Sequence, residues 1–300
     1  MNITFRQLRL FLALAQTGSV SAAAKLMHVT QPTASMQLKE ITQSVGMPLY
    51  EVISKKIYLT DVGVELAGTA RAITQAWEGF QQSIDGLNGL TRGKLRVAVV
   101  STAKYFMPRL IGSFCKKHPQ IDLSLEILNR DGVVQRMLDN LDDLYIMSQP
   151  PSRMDLVDQI FMANPIVVIA AARDPITKQA TVALDQLATH RFILREKGSG
   201  TRMAADQFFK NNKFKPDVRL ELGSNEAIKE SVAGGLGIGV ISSHALHGLD
   251  KEHGVSVIQV DGFPIASNWH IVHPTNKKLS PVAVAFKRHL LKSVNPRKSH

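Results

Sequence analysis

Several things are missing or scarce in this chain of 300 residues, and each narrows what it can be. It has one cysteine, Cys115, so no disulfide forms within it and a reducing compartment suits it. Cys115 sits in LIGSFCKKH, where a small buried filler is the expected role. No run approaches the roughly 18–20 apolar residues that span a bilayer. The N-terminus lacks the charged-then-apolar layout of a signal peptide, so a cytoplasmic location is expected. Metal is not expected: His244 and His247 lie three apart without a second ligand pair. Asp142 and Asp143 precede a strand, where neighbours point to opposite faces, so they are no acid pair. The glycines at 234, 235, 237 and 239 lead out of a helix into a strand, the reverse of a dinucleotide loop. No nucleophile–base set is evident, and neither enzyme activity nor a cofactor is expected.

What is present begins with Gly18 to Val45, GSVSAAAKLMHVTQPTASMQLKEITQSV. Ser19 is an N-cap candidate for a short helix to Met27, whose Ala22, Ala23 and Ala24 allow a crossing helix to approach. Met27-His28-Val29 makes the turn. Thr30 caps the next helix, and Pro32 falls in its first turn, where a missing N–H costs nothing. Ala34, Leu38, Ile41 and Val45 recur at steps of four, three and four, marking a buried face. The opposite face carries Gln31, Pro32, Ser35, Met36 and Lys39. Glutamine pairs bidentately with adenine, serine bonds a base edge or a phosphate, and methionine packs on a thymine methyl. This is a helix-turn-helix pattern that places one helix in the major groove of double-stranded DNA. A helix over Phe5–Gln16 precedes it. Gly46-Met47-Pro48 ends it, and two short β-prone segments flank Ile53-Ser54-Lys55. They read as a wing with Lys55 and Lys56 set for phosphate.

From Asp61 to Leu90 there is no proline, and Leu66, Ala70, Ile73, Trp77, Phe80, Ile84 and Leu87 follow a heptad. Such a seam asks for a partner helix, and operator readers pair to cover two half-sites of an inverted repeat. Charge is uneven: +4 over 1–60, −3 over 61–90 and +10 over 91–300, within +11 overall. Part of the surplus beyond residue 90 either awaits an anionic ligand or keeps the surface soluble.

The remainder alternates strand and helix, which argues α/β layering on a mostly parallel sheet. A helix is expected over Lys104–Lys117 and another over Leu184–Ala188, with no strand between Met147 and Ile166. The two hundred residues suit one large sheet or two lobes. Ligands in such folds lie beyond the C-terminal strand ends, on helix N-termini. Ser101, Thr102 and Lys104 follow one strand. Ser199, Thr201 and Arg202, in EKGSGTR, follow another. An anion shared between these loops would bridge them.

The segments FRQLRLFLALAQTGSVSAAAKLMHVTQPTASMQLKEI and PLYEVISKKIYLTDVG resemble the LysR-type transcriptional regulators in order and spacing. The family more often has Arg or Lys at Met36, Ala-Val at Thr33-Ala34 and Phe-Glu-Arg at Tyr50-Glu51-Val52, which bears on base preference. KKIYLT, KYFMPRLIGSFCKKHPQID, DDLYIMSQPP, GSGTR and ELGSNEAIKESVAGGLGI resemble the branch that regulates Calvin-cycle and RuBisCO operons. The resemblance implies an α/β architecture in three parts. These are a winged helix-turn-helix over 1–60, a linker helix over 61–91 that dimerises, and an effector domain over 92–293. The effector domain would be two-lobed, like periplasmic solute-binding proteins, with lobe I over 92–163 and 267–293 and lobe II over 164–266. It implies a homotetramer, a cleft lined by the two loops with Ser148 and Gln149 and also Asn129 and Arg130, and a phosphorylated metabolite or NADPH as effector. Two other readings remain: a LysR-type regulator of another operon answering to another small anion, and an enzyme or solute-binding protein with a helical extension, which would lack sequence-selective DNA affinity, a difference that gel shifts at two salt concentrations would show.

Overall fold

The computed structural model describes residues 2–54, 56–87, 93–246 and 254–294. The chain divides into two compact units, Met1–Ile84 with Asp139–Leu141, and Asp85–Leu138 with Asp142–His300.

In the first unit, α1 (Phe5–Thr17) opens on a capping box between Thr4 and Gln7 and ends at Gly18, whose φ of 62° is left-handed. Ser19 caps α2 (Val20–Leu26) through its hydroxyl, which accepts from the Ala22 N–H. The turn then passes through His28 at φ 53°. Thr30 caps α3 (Gln31–Val45), and Gly46 closes it. β1 (Tyr50–Ile53) and β2 (Lys56–Leu59) pair antiparallel, with Ile53 opposite Lys56. α4 (Asp61–Leu87) follows. Phe11, Leu14, Leu38, Ile41 and Leu49 fill the core, and Ala23, Ala24, Ala34, Ala67 and Ala70 let the helices cross closely. Gly63 is obligatory: a Cβ there would lie 1.9 Å from the Leu49 carbonyl oxygen.

The second unit holds two five-stranded sheets. The first has the order β4 (Ile121–Leu128), β3 (Gly93–Val100), β5 (Leu144–Met147), β12 (Asn268–Pro274), β6 (Leu156–Ala163). Helices α5 (Met107–Lys117), α6 (Arg130–Leu138) and α9 (Pro281–Val294) pack on it around Trp269, Tyr145, Phe114 and Phe286. The second sheet has the order β11 (Val255–Ile258), β7 (Ile166–Ala171), β10 (Ile238–Ser242), β8 (Arg191–Arg195), β9 (Asp217–Leu222). Its helices are α7 (Gly200–Asn211) and α8 (Asn225–Ala233). The chain leaves the first sheet between Ala163 and Ile166 and returns between Ile258 and Asn268. The result is two lobes of the periplasmic-solute-binding kind.

Four local expectations change. Both sheets are mixed rather than mostly parallel, because β12 runs antiparallel to β5 and β6, and β7 antiparallel to β10 and β11. The expected helix over 104–117 splits into a 3-10 turn, Ser101–Tyr105, and α5, since Phe106 leaves helical geometry ahead of Pro108. Leu184–Thr189 is likewise a 3-10 turn. The unexpected strand β6 is an edge strand paired only to β12, and its half-polar LVDQIFMA carries no strong burial signal. His244 lies in a 3-10 turn, while His247 and residues 88–90 of the expected linker helix fall outside the described residues.

Candidate functional sites: a recognition helix and an interlobe cleft

Residues Ala34, Leu38 and Ile41 turn one side of α3 into the core. The 3.6-residue period therefore turns Gln31, Pro32, Ser35, Met36 and Lys39 outward, and all five are exposed. Met36 is 57% exposed, within reach of a partner approaching this face. The single carboxylate of α3, Glu40, accepts from Gln7 Nε2 at 2.9 Å, which holds it in place beside α1. On the wing, Lys56 is exposed beside the hairpin turn, and Lys55 lies outside the described residues.

On α4 the heptad divides. Ala70 is fully buried and Leu66 partly buried in the unit's own core. Ile73, Trp77, Phe80 and Ile84 stay exposed. Trp77 stands 5.7 Å from Phe80 and 6.0 Å from Phe5, centroid to centroid, so the rings make one continuous apolar strip. The Leu87 side chain is outside the described residues.

In the second unit, β3 and β5 lie side by side in the first sheet, and their neighbours leave in opposite directions. β8 and β10 do the same in the second. Such switch points leave a crevice beyond the C-terminal strand ends. From lobe I it receives Ser101 and Thr102 after β3, Ser148 after β5, and Arg130 at the start of α6. From lobe II it receives Arg195 at the end of β8, and Ser199, Gly200 and Thr201 at the start of α7. Ser199 also caps α7 by accepting from the Arg202 N–H at 3.1 Å. The dipole of that helix adds attraction for an anion.

Arg195 organises the crevice. Only 3% of it is exposed. Its guanidinium donates to Ser101 Oγ at 3.1 Å and Thr102 Oγ1 at 3.2 Å in the opposite lobe. It also donates to Asn225 Oδ1 at 3.3 Å and forms a two-pronged pair with Glu196 at 2.7 and 2.8 Å. Asn225 Nδ2 donates to Thr102 Oγ1 at 3.2 Å, so Thr102 is held from lobe II twice. Arg130 Nε donates to the Gln149 carbonyl at 2.8 Å. The walls are close: a Cβ on Gly200 would lie 2.4 Å from Ser148 Oγ.

A second interlobe contact lies beside this one. Glu226 on α8 accepts from Tyr105 Oη at 2.6 Å and from Lys104 Nζ at 2.9 Å. Burial pushes Glu226 upward, but the bonds from Tyr105 and Lys104 outweigh it and bring its pKa down to about 2. The Tyr105 phenol moves up through burial and the same carboxylate.

The expected site residues thus divide in space. Ser101, Thr102, Ser148, Ser199 and Thr201 converge on the crevice. Lys104 turns instead to Glu226. Gln149 offers its carbonyl to Arg130. Asn129 Oδ1 accepts from the Gly132 N–H at the start of α6. Arg202 is committed to Asp206 at 2.8 Å, Glu221 at 3.0 Å and the Arg195 carbonyl at 2.9 Å, so it braces α7 against β8 and β9. Arg195, Asn225, Tyr105 and Glu226 were not foreseen. A charged residue ending the apolar run FIL at a strand's C-terminus was the available signal for Arg195. Among the described residues there is no group of His, Cys, Asp or Glu that could hold a metal, and no helix long and apolar enough to cross a membrane.

Known proteins share this organisation. Residues 5–64 match the model described as bacterial regulatory helix-turn-helix protein, lysR family, and residues 88–295 match the LysR substrate binding domain. The chain is 44% identical over 287 residues to the HTH-type transcriptional activator CmpR of a Synechocystis species, covering 95% of this chain and 94% of that protein. It is 42% identical over 289 residues to the RuBisCO operon transcriptional regulator of Acidithiobacillus ferrooxidans, covering 96% and 94%. The regulatory domain of Synechocystis CcmR, solved in complex with 2-PG, superimposes with a TM-score of 0.66 at 42% identity, over 69% of this chain and 99% of that one. An exposed recognition helix, a two-lobed cleft domain and family matches to both agree: the chain belongs to the LysR family of bacterial transcriptional regulators.

Proposed function

We propose that this LysR-family regulator acts in the cytoplasm on carbon-fixation genes, the RuBisCO operon among them, and responds to a small phosphorylated acid held between its lobes. The observation that carries the effector reading is the buried Arg195, which reaches two hydroxyls of the opposite lobe. Two guanidiniums, those of Arg130 and Arg195, five hydroxyls and the N-terminus of α7 form a donor-rich crevice suited to an oxyanion. A ligand that touches Ser101 and Thr102 on one wall and Ser199 and Thr201 on the other binds the closed form better and shifts the lobes toward it. The complex of CcmR with 2-PG, a relative at 42% identity, supports the same ligand class. The close approach of Gly200 to Ser148 favours a small acid over NADPH.

Gln31, Pro32, Ser35, Met36 and Lys39 would read base edges while Lys55 and Lys56 hold phosphate. The strip of Ile73, Trp77, Phe80 and Ile84 would pair with that of a second copy, since burying the roughly half of each side chain still exposed gains about 25 cal/mol per Å² of apolar surface. Two such dimers would complete a homotetramer on an operator with an inverted repeat. In this reading the cleft is a sensor and catalyses nothing.

Titration calorimetry of the full chain with 2-phosphoglycolate, NADPH and inorganic phosphate tests the effector. Saturable binding of the first, with a change in its footprint on a RuBisCO promoter fragment, is expected. Heat from NADPH alone, or none from any of the three, would overturn the effector assignment. A selective response at an unrelated promoter only would overturn the regulon.

A further inference from the structure

The surplus of positive charge beyond residue 90 is not spread evenly. After Asp261 there is no acidic residue, while Lys277, Lys278, Lys287, Arg288, Lys292, Arg297 and Lys298 follow. Neither α5 (MPRLIGSFCKK) nor α9 (PVAVAFKRHLLKSV) contains a carboxylate. The two helices lie side by side on lobe I: Ser113 Oγ is 2.7 Å from His289 Nε2, and Phe114 meets Phe286 at 5.0 Å. Their apolar sides, with Met107 and Phe114 on one and Val282, Phe286 and Leu290 on the other, are buried in the core. Helical periodicity then sends Arg109, Lys116 and Lys117 outward on α5, and Arg288 and Lys292 outward on α9, with Lys287 half-buried beside them. None of these six cations forms an ion pair among the described residues. Elsewhere in the unit Arg136, Arg195 and Arg202 each hold a carboxylate, and what sets the α5–α9 face apart is that neither helix supplies an acidic residue of its own. The crowding is felt locally. Burial pushes the His289 imidazole down, and the nearby Lys117 and His118 push it down further.

Six cations with no counter-charge repel one another, at a standing cost in stability. A polyanion would relieve that cost. The character of the face indicates which kind. Protein–protein interfaces are centred on apolar and aromatic anchors and are depleted in lysine. Here the described residues expose one large hydrophobic side chain, Val284. Nucleic-acid interfaces are polar and strongly positive, and Lys/Arg contacts to phosphate need no apolar centre.

The geometry points to the α5–α9 face of lobe I as a second DNA-binding surface, which grips the phosphate backbone flanking the operator without reading sequence. The first unit brings DNA to the same chain, so even a weak second contact acts at high effective concentration. The surface shares no residue with the recognition helix or the effector crevice. It rests on the DNA-binding role of the family and not on the identity of the effector or regulon.

The test uses the full chain and a five-fold neutralised variant, R109Q/K116Q/K117Q/R288Q/K292Q, all at exposed positions. Binding to mixed-sequence 25-bp and 100-bp duplexes is followed by fluorescence anisotropy from 50 to 250 mM KCl. Each lost phosphate contact reduces the slope of log K against log salt by about 0.9. For the 100-bp duplex the slope should fall by about 2–4, with affinity at 50 mM KCl reduced at least tenfold. The 25-bp duplex should respond much less. The charge-conserving variant R109K/K116R/K117R/R288K/K292R should restore the slope. Gln31→Ala should alter operator preference and leave the length effect intact, which separates failure of this surface from failure of the recognition helix. Equal slopes and affinities for wild type and neutralised variant on the 100-bp duplex would overturn the proposal. So would unchanged DNA binding with lost transcription activation in a purified system, which would assign the face to a protein partner.

Discussion

The recognition helix and the interlobe crevice arrange polar groups in opposite ways. On α3 the polar face is fully exposed and rests on a core of alanines and leucines that contains no charge. In the crevice Thr102, Ser148, Arg195, Ser199 and Thr201 are all buried; Arg195 donates to Thr102, and Ser199 accepts from the Arg202 N–H. A surface meant for DNA is presented ready-made, because a groove can approach it from outside. The crevice is built from groups that already bond across the gap between the lobes. In the proposed reading its occupant would replace those bonds, which would link occupancy to lobe geometry.

Arg195→Ala should have the largest effect. It removes a buried cation bonded to both lobes, leaves Glu196 without its partner and takes one of two bonds from Thr102 and from Asn225. Breaking a buried pair of this kind costs about 3–5 kcal/mol. Urea unfolding should show that loss, and calorimetry should show no effector binding; full effector affinity would contradict the assignment. Gly200→Ala is a finer probe. Its methyl would press on Ser148 Oγ, and overpacking costs about 1–3 kcal/mol. The expected loss falls on effector response, read by footprinting with and without ligand, with operator affinity in the absence of effector retained. On the other side, Gln31→Ala should weaken operator binding by about 1–3 kcal/mol and leave effector binding untouched. Equal weakening on random duplex would show that Gln31 reads no base.

The smallest effect concerns the Tyr105–Glu226–Lys104 contact. The folded-state pKa of Glu226 is depressed to about 2. Its contribution is therefore fully present above the unfolded carboxylate range and is lost as pH falls from about 5 toward 2. Because Glu226 is nearly half exposed, only about 0.2–1 kcal/mol is expected. Wild type and Glu226→Gln should differ in thermal stability at pH 7 and converge near pH 2. A constant difference across that window would assign the effect to packing.

Legibility differs between these regions for the same reason. The caps Ser19 and Thr30, the stop at Gly46 and the Ala34–Leu38–Ile41 stripe depend on residues within four positions, and the structure has all of them. The loops at 101–104 and 196–202 were visible as junctions between strand and helix. The roles within them were not. Lys104 and Arg202 carry the right charge in the right loops, yet each is claimed by a carboxylate distant in sequence or one turn along its own helix. The linker heptad was regular on paper, but its first turns belong to the core of the winged unit, so only the stretch from Ile73 to Ile84 remains exposed.

Periodicity and neighbours along the chain set the helix-turn-helix, its outward face, the linker helix and the alternation that makes an α/β domain. The meeting of Arg195 with Thr102 across 93 positions, and of Asn225 with it across 123, came from the packing of distant segments. The same packing merges α5 and α9 into one cationic field, joined by a bond between residues 176 apart. Hydrogen bonds and like-charge clusters across such separations leave no periodic trace, because they exist only once the sheets have brought distant strand ends and helix faces together.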